Sequence, residues 1–174
     1  MVDAGVDRPL GELLSAIRSV VGGVDVDGLD VTVAARLVED CAEAERVMAA
    51  LRVTVAATLE NAAFWRREGY RSVGSWMAAK TGTSVGPSIA SIEMAGHLKG
   101  LPLLAAAFRD GRLSEAQARE IADVAADVPD AEQQLVEAAG KLTFRGLREE
   151  CQRVEAAAII DEDERYRRVH GRRH

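Results

Sequence analysis

LDVTVAARLVEDCAEAERVMAALRVTVAATLENAAFWRRE, residues 29–68, contains neither Gly nor Pro, while Gly28 stands before it and Gly69 after it. Ala, Leu, Arg and Glu dominate its interior, and these residues lose little side-chain entropy in a helix. Leu37, Cys41, Ala44, Met48, Leu51, Val55, Leu59 and Ala62 recur at steps of three and four and draw one apolar stripe down it. Arg36 with Asp40, and Glu43 with Arg46, are spaced to pair on the wetter side. At ~1.5 Å per residue such a helix is about 60 Å long, more than the width of a small domain. Shorter helices must therefore line up along it to cover the stripe. A dimerising coiled coil is the competing reading. The three-four spacing slips after Val55, and a sustained heptad is the coiled-coil sign, so the stretch reads as the spine of a one-chain helical bundle.

The rest of the composition agrees. A chain of 174 residues is long enough for one domain with a proper core. Aromatic residues make up only 4%, so the core must come from Ala, Leu, Val and Ile, with small residues between closely packed helices. Cys41 and Cys151 both fall on apolar helical stripes and are expected as buried thiols in a reducing compartment. There is no Cys-x-x-Cys, which argues against structural zinc. A net charge of −6 speaks against a general nucleic-acid binder. The charge is uneven, however: Asp161, Glu162, Asp163 and Glu164 precede Arg165, Arg167, Arg168, Arg172 and Arg173. No apolar run approaches the ~20 residues that span a bilayer. The opening MVDAGVDRPL lacks a basic leader with an apolar core, so the expectation is cytoplasmic, without a membrane partner.

Along the chain, every helix breaker falls between helical patterns rather than inside them. Pro9 is expected to open a short helix carrying Leu10, Leu13, Leu14, Ile17 and Val21, ended by Gly22–Gly23. Residues 24–28 read as a linker. After Gly69, Ser72 or Ser75 can cap a helix with Val73, Trp76 and Met77, broken by Gly82. Ser84 is placed to cap the next helix, with Val85, Ile89, Ile92, Ala95 and Leu98 inward and Gly86, Ser88, Ser91 and Glu93 outward. Leu101–Pro102 starts another, closed by Gly111. Ser114 with Gln117 three residues on reads as a capping box, stapled by Leu113. Pro129 ends that helix, and Asp130 with Gln133 is expected to cap the following one, stopped by Gly140. Thr143 caps a last long helix with Phe144, Leu147, Cys151, Val154 and Ala158 on one stripe. No segment alternates with period two. The expected fold is all-α, a bundle around one long helix (about 30–68) with short helices and a long C-terminal helix (about 144–168). The expected organisation is 1–28 short helix and linker, 29–160 helical domain, and 161–174 charged tail.

Residues that carry chemistry are few. His97 sits late in an apolar helix, which suits a core or helix-terminal role; His170 and His174 lie in the Arg-rich tail. The chain has no Gly-rich phosphate loop, no His-Glu-x-x-His and no nucleophile elbow. The pairs Glu149–Glu150 and Glu39–Glu43 lie on faces that read as solvated. No active site, metal site or cofactor site is expected. A helix–turn–helix is a second candidate, because the patterns over 73–81 and 85–98 flank a turn at Gly82, with Ala78 four residues before it. Its second helix brings few side chains that read bases, and a structural hairpin is the alternative. Arg66, Arg67, Arg71 and Lys80 cluster just before it and Lys99 closes it, in reach of phosphates. Third, the tail from Arg165 to Arg173 with Tyr166 interleaved suits a nucleic-acid backbone, or pairs with the acidic run before it.

The order of these elements has a likeness. A spine rich in Ala, Leu and Arg is followed by Trp76 in a short helix, a Gly82–Ser84 turn, an Ala-Leu helix ending at Leu101–Pro102, and the box Gly111-Arg112-Leu113-Ser114. Asp161, Glu162, Asp163, Arg165 and Tyr166 close the pattern. The arrangement resembles the N-terminal domain of the actinobacterial 13E12 repeat family, domain-of-unknown-function family 222, over roughly residues 31–170. The resemblance implies a helical domain that commonly precedes an HNH endonuclease module, a metal-dependent DNA nuclease with paired His and Asn residues. No position here matches that motif, so no catalytic residue carries over, and a divalent metal is expected only in such a module. The expected function is a non-catalytic helical domain that positions or assembles an HNH-like protein on DNA through Arg66, Arg67, Arg71, Lys80, Lys99 and the terminal arginines. The alternative is a helical protein-interaction or dimerisation module, self-associating through the long helix without DNA contact.

Overall fold

The computed structural model describes residues 4–170 apart from 61 and 63; the side chains of 4–7 and 161–170 lie outside that description. The elements are α1 (Ala4–Gly23), α2 (Val31–Leu59), α3 (Phe64–Arg67), α4 (Val73–Thr81), α5 (Val85–His97), α6 (Pro102–Arg109), α7 (Glu115–Ala125), a 3₁₀ turn (Pro129–Ala131), α8 (Glu132–Ala139) and α9 (Phe144–His170). Among the described residues there is no strand, and the all-α expectation holds. None of the described helices is long and apolar enough to cross a membrane. The chain divides into two compact units, residues 1–40 and 41–174, with the division inside α2.

In the first unit, α1 starts before Pro9 rather than at it, so Pro9 lies inside the helix. Its missing N–H leaves one carbonyl of the preceding turn without a donor, a cost the expectation of a Pro start avoided. Leu13, Ile17, Val20 and Val21 of α1 are exposed. Asp30 starts α2: its Oδ1 accepts from the N–H groups of Thr32 at 2.8 Å and Val33 at 3.4 Å. Those bonds hold the Asp30 carboxyl below its ordinary 3.8.

In the second unit a core forms from Ala50, Val53, Met94, Leu104, Phe108, Leu113, Ile121, Leu135, Leu147 and Cys151, with alanines of α6, α7 and α8 between them. Small side chains let these helices approach closely, as the low aromatic content requires. The long helix meets this core differently from expectation. It ends at Leu59, and Phe64–Arg67 is a separate turn of helix. That break lets Phe64 meet Trp76 edge-on at 4.9 Å between ring centroids. The buried residues of α2 are Ala50, Val53 and Ala56, while Leu51 and Val55 of the expected inner stripe are exposed. The shorter helices cover the face carrying Ala50, Val53 and Ala56.

Local signals set most of the other boundaries. Ser72 and Ser75 form a reciprocal capping box on α4, and Gly82 ends it in the left-handed conformation, its N–H on the Ala78 carbonyl. Ser114 and Gln117 do the same at the start of α7. The Thr143 hydroxyl accepts from the Gly146 N–H at 3.2 Å at the start of α9. Three expectations fail here. Ser84 occupies the cap position of α5 but makes no side-chain cap bond. Asp130 does not cap α8; the 3₁₀ turn carries the chain into it, and Ala131 stands at the cap position. Phe144, placed on the inner stripe of α9, is exposed, whereas Leu147 and Cys151 are buried.

Candidate functional site

The helix–turn–helix-like pair is real as packing. α4 and α5 lie against each other, and Gly74 has room for no side chain: a Cβ there would come within 2.8 Å of Ile89 Cγ1. The orientation of α5 reverses the expectation for Ser88 and Ser91. Both are buried, at 3% and 5% exposure, while Val85 is exposed and Ile89 keeps one side open to solvent as its Cγ1 packs on Gly74. The reason is hydrogen bonding: a serine hydroxyl can be buried when it donates to its own helix. Ser88 Oγ bonds the Ser84 carbonyl at 3.3 Å, and Ser91 Oγ bonds the Pro87 carbonyl at 2.9 Å. Ser91 also reaches the Glu115 carboxylate, whose other oxygen accepts from Arg52 Nη2 at 2.6 Å. The node Ser91–Glu115–Arg52 ties α5, α7 and α2 together. The outward face of α5 then offers Val85, Gly86, Pro87, Ile89 and Glu93, of which only Glu93 carries a group that reads a base edge.

The basic residues fall as follows. Arg66 and Arg67 end α3, Arg71 follows at the bend before α4, and all three are exposed. This tight segment is held by the Gly69 N–H on the Arg66 carbonyl at 3.1 Å and the Tyr70 N–H on the Trp65 carbonyl at 3.0 Å. The Arg66 guanidinium stacks over the Trp65 ring, 4.9 Å from its centroid, which fixes its plane and leaves N–H groups for a ligand. Lys80 is exposed in the last turn of α4, and Lys99 is exposed just beyond α5. None of these five is in an ion pair among the described residues, whereas Arg8, Arg52, Arg112, Arg145, Arg148 and Arg153 are. Arg66, Arg67 and Arg71 lie within six residues of chain running from α3 toward α4, and Lys80 lies at the far end of α4. Lys99 instead borders an open groove with Thr54, Thr58, Leu98 and Arg109, and Arg109 is a residue that sequence reasoning missed. Arg165, Arg167 and Arg168 fall on the helical backbone of α9 with side chains outside the description, and Arg172 and Arg173 lie outside the described residues.

Beneath the Arg66 segment, a small apolar cluster of Ala56, Val73, Met77 and Ile92 packs with Trp65 and Trp76. The indole N–H groups of both tryptophans are buried without a hydrogen-bond partner among the described residues. His97 is exposed in the last turn of α5. Glu39, Glu43 and Glu149 are exposed, as expected of solvated carboxylates, but Glu150 is not: its side chain is largely covered and accepts from Gln134 Nε2 at 2.6 Å and from Arg153. No three His, Cys, Asp or Glu side chains gather in a metal-binding group among the described residues. Cys151 is buried as expected, and burial, with Glu120, Glu150 and Asp123 nearby, pushes its thiol up to about 11. Cys41 is exposed, contrary to expectation, because it lies on the stripe of α2 that the bundle leaves uncovered.

Comparison with curated proteins and with solved structures gave no match. Residues 35–174 match the family described as Domain of unknown function (DUF222), a span that takes in α3–α9 and all but the first turn of α2. The chain therefore belongs to the DUF222 family.

Proposed function

We propose that this chain is a non-catalytic helical module that positions an HNH-nuclease-like protein on DNA by gripping the phosphate backbone. The observation that carries this reading is the segment Arg66–Arg71: three exposed guanidinium groups on one hydrogen-bonded turn, none of them paired with a carboxylate among the described residues. Guanidinium forks suit phosphate oxygens, and such contacts orient a protein on a duplex without reading sequence. The buried Ser88 and Ser91 weigh against base reading by α5, so the expected binding is sequence-independent. A duplex titration at ~50 mM salt, where counterion release favours binding most, tests it. Binding that weakens with salt and is lost in the Arg66→Gln, Arg67→Gln, Arg71→Gln triple variant supports it. No binding at tens of micromolar protein ends it.

A second reading, self-association through the long helix, has an observation of its own. Val47, Leu51 and Val55 are 41%, 37% and 48% exposed along one side of α2. A contiguous apolar row on a helix is the kind of surface that a partner helix covers.

A further inference from the structure

Two stripes run along the part of α2 that belongs to the second unit. One carries Ala50, Val53 and Ala56 into the core, and Arg46 on the same side donates from Nε to the Gly111 carbonyl at 2.6 Å. The other carries Cys41, Ala44, Met48, Leu51 and Val55. Their steps are three, four, three and four, the a and d positions of a heptad. At 3.6 residues per turn, positions two apart lie on opposite sides, so Leu51 faces away from Val53 and Met48 away from Ala50. Met48 is half-buried; Cys41, Ala44, Leu51 and Val55 are exposed. The bundle thus packs on the side that a coiled coil would leave wet, and leaves free the side that a coiled coil would use.

Resting on the self-association reading, we infer that the occupant of this seam is a second copy of the chain, with its α2 antiparallel. The spacing is self-complementary about a two-fold axis between Ala49 and Ala50. Met48 then packs against Leu51 of the second copy, and Ala44 against its Val55, each twice by symmetry. The inner layers pair two large residues, and the outer layers pair a small one with a β-branched one. Charge selects the direction. The e positions, which flank each other in an antiparallel pair, are Glu45 and Arg52, and the register brings each Glu45 beside the other copy's Arg52. A parallel pair would set Val47 against Arg52 instead and make no ion pair there. Arg52 bonds Glu115 through Nη2 and keeps its other N–H groups for a second carboxylate. Glu45, Met48 and Arg52 line one wall of an open groove whose other wall is residues 114–117 at the start of α7, so that flank of the seam is open along the groove.

The exposed Cys41 provides the test. In the antiparallel register Cys41 lies level with Thr58 of the second copy, and the two Cys41 thiols are about 25 Å apart, beyond any disulfide. In a parallel pair they would face each other. Light scattering of the whole chain at tens of micromolar should give twice the single-chain mass. Leu51→Glu, a change at an exposed position, should return it to one with helicity unchanged. Mild oxidation should leave the wild type uncoupled. It should couple the Thr58→Cys variant, through bridges from Cys41 of one copy to the introduced thiol of the other, identified by peptide mapping. Wild type that oxidises through Cys41–Cys41 would overturn the antiparallel pairing while leaving self-association standing. A single-chain mass throughout would overturn both.

Discussion

Glu132, the first residue of α8, accepts a hydrogen bond at Oε1 from the main-chain N–H of Leu104, 2.8 Å away in the first turn of α6. Leu101 stands at the cap position of α6 and has no side chain that can cap it. The carboxylate of another helix does so instead, where the helix dipole also favours negative charge. Glu132 is buried, so removing it leaves an orphaned N–H with poor access to water. Glu132→Ala should cost about 1–3 kcal/mol in urea unfolding. Glu132→Gln should cost clearly less, since its amide oxygen still accepts. Equal losses for the two variants would mean that packing, not the bond, stabilises the contact.

Gly111 is held at φ 69° with its α-carbon against α2, and a Cβ there would lie 2.6 Å from Val47 Cγ2. Gly111→Ala should therefore lose about 1–3 kcal/mol from backbone strain alone, and more from the overlap. In a Val47→Ala background the overlap goes and the strain stays, so the penalty should shrink without vanishing. A double-mutant cycle on thermal unfolding separates the two parts.

The two cysteines should differ sharply in chemistry. A maleimide should label Cys41 quickly at pH 7 and Cys151 only when the protein unfolds. The Cys151 thiol is raised from 9.0 to about 11, chiefly by burial. Its contribution to stability is therefore present below about 9 and is lost as pH rises toward 11, because the unfolded chain ionises first. Cys151→Ala should flatten that alkaline decline in a pH series of unfolding curves.

Asp30 carries the opposite sign. Its folded carboxyl titrates below 3.8 because the N–H groups of Thr32 and Val33 favour the anion. The stabilisation it lends the start of α2 is complete above the ordinary value and is lost as pH falls through the lowered one. An NMR titration should place the Asp30 midpoint below 3.8. Asp30→Asn, which keeps an acceptor without the charge, should remove the acid dependence and keep the cap.

What the sequence disclosed tracks how local the physics is. A serine cap on α4 at Ser72 or Ser75, the box of Ser114 with Gln117, Thr143, Gly82 and Gly111 were readable, because a cap or a left-handed turn is settled within a few residues. The inward face of α2 was not. Both of its stripes are apolar, and only tertiary packing chooses Val53 over Leu51. Ser88 and Ser91 read as outward residues because they are polar; their burial rests on bonds to the Ser84 and Pro87 carbonyls and, for Ser91, to Glu115 of α7, which no local pattern reveals. Glu132 reads as a first-turn acid of its own helix, and its bond to Leu104 joins residues 28 apart. Of the candidate site, Arg66, Arg67 and Arg71 were legible because their grouping is sequential. Arg109 was not, because folding alone brings it to the groove that Lys99 borders.

The alanines of the interior have a consequence of their own. Ala107, Ala118, Ala122 and Ala125 are wholly enclosed. Each has a single carbon to lose, and a valine in its place would force two more into a closed space, at about 1–3 kcal/mol. Mutational tolerance at these four positions is thus lopsided: thinning one to glycine costs about 1 kcal/mol of helix propensity, whereas enlarging it meets a closed wall, so their fragility is to crowding.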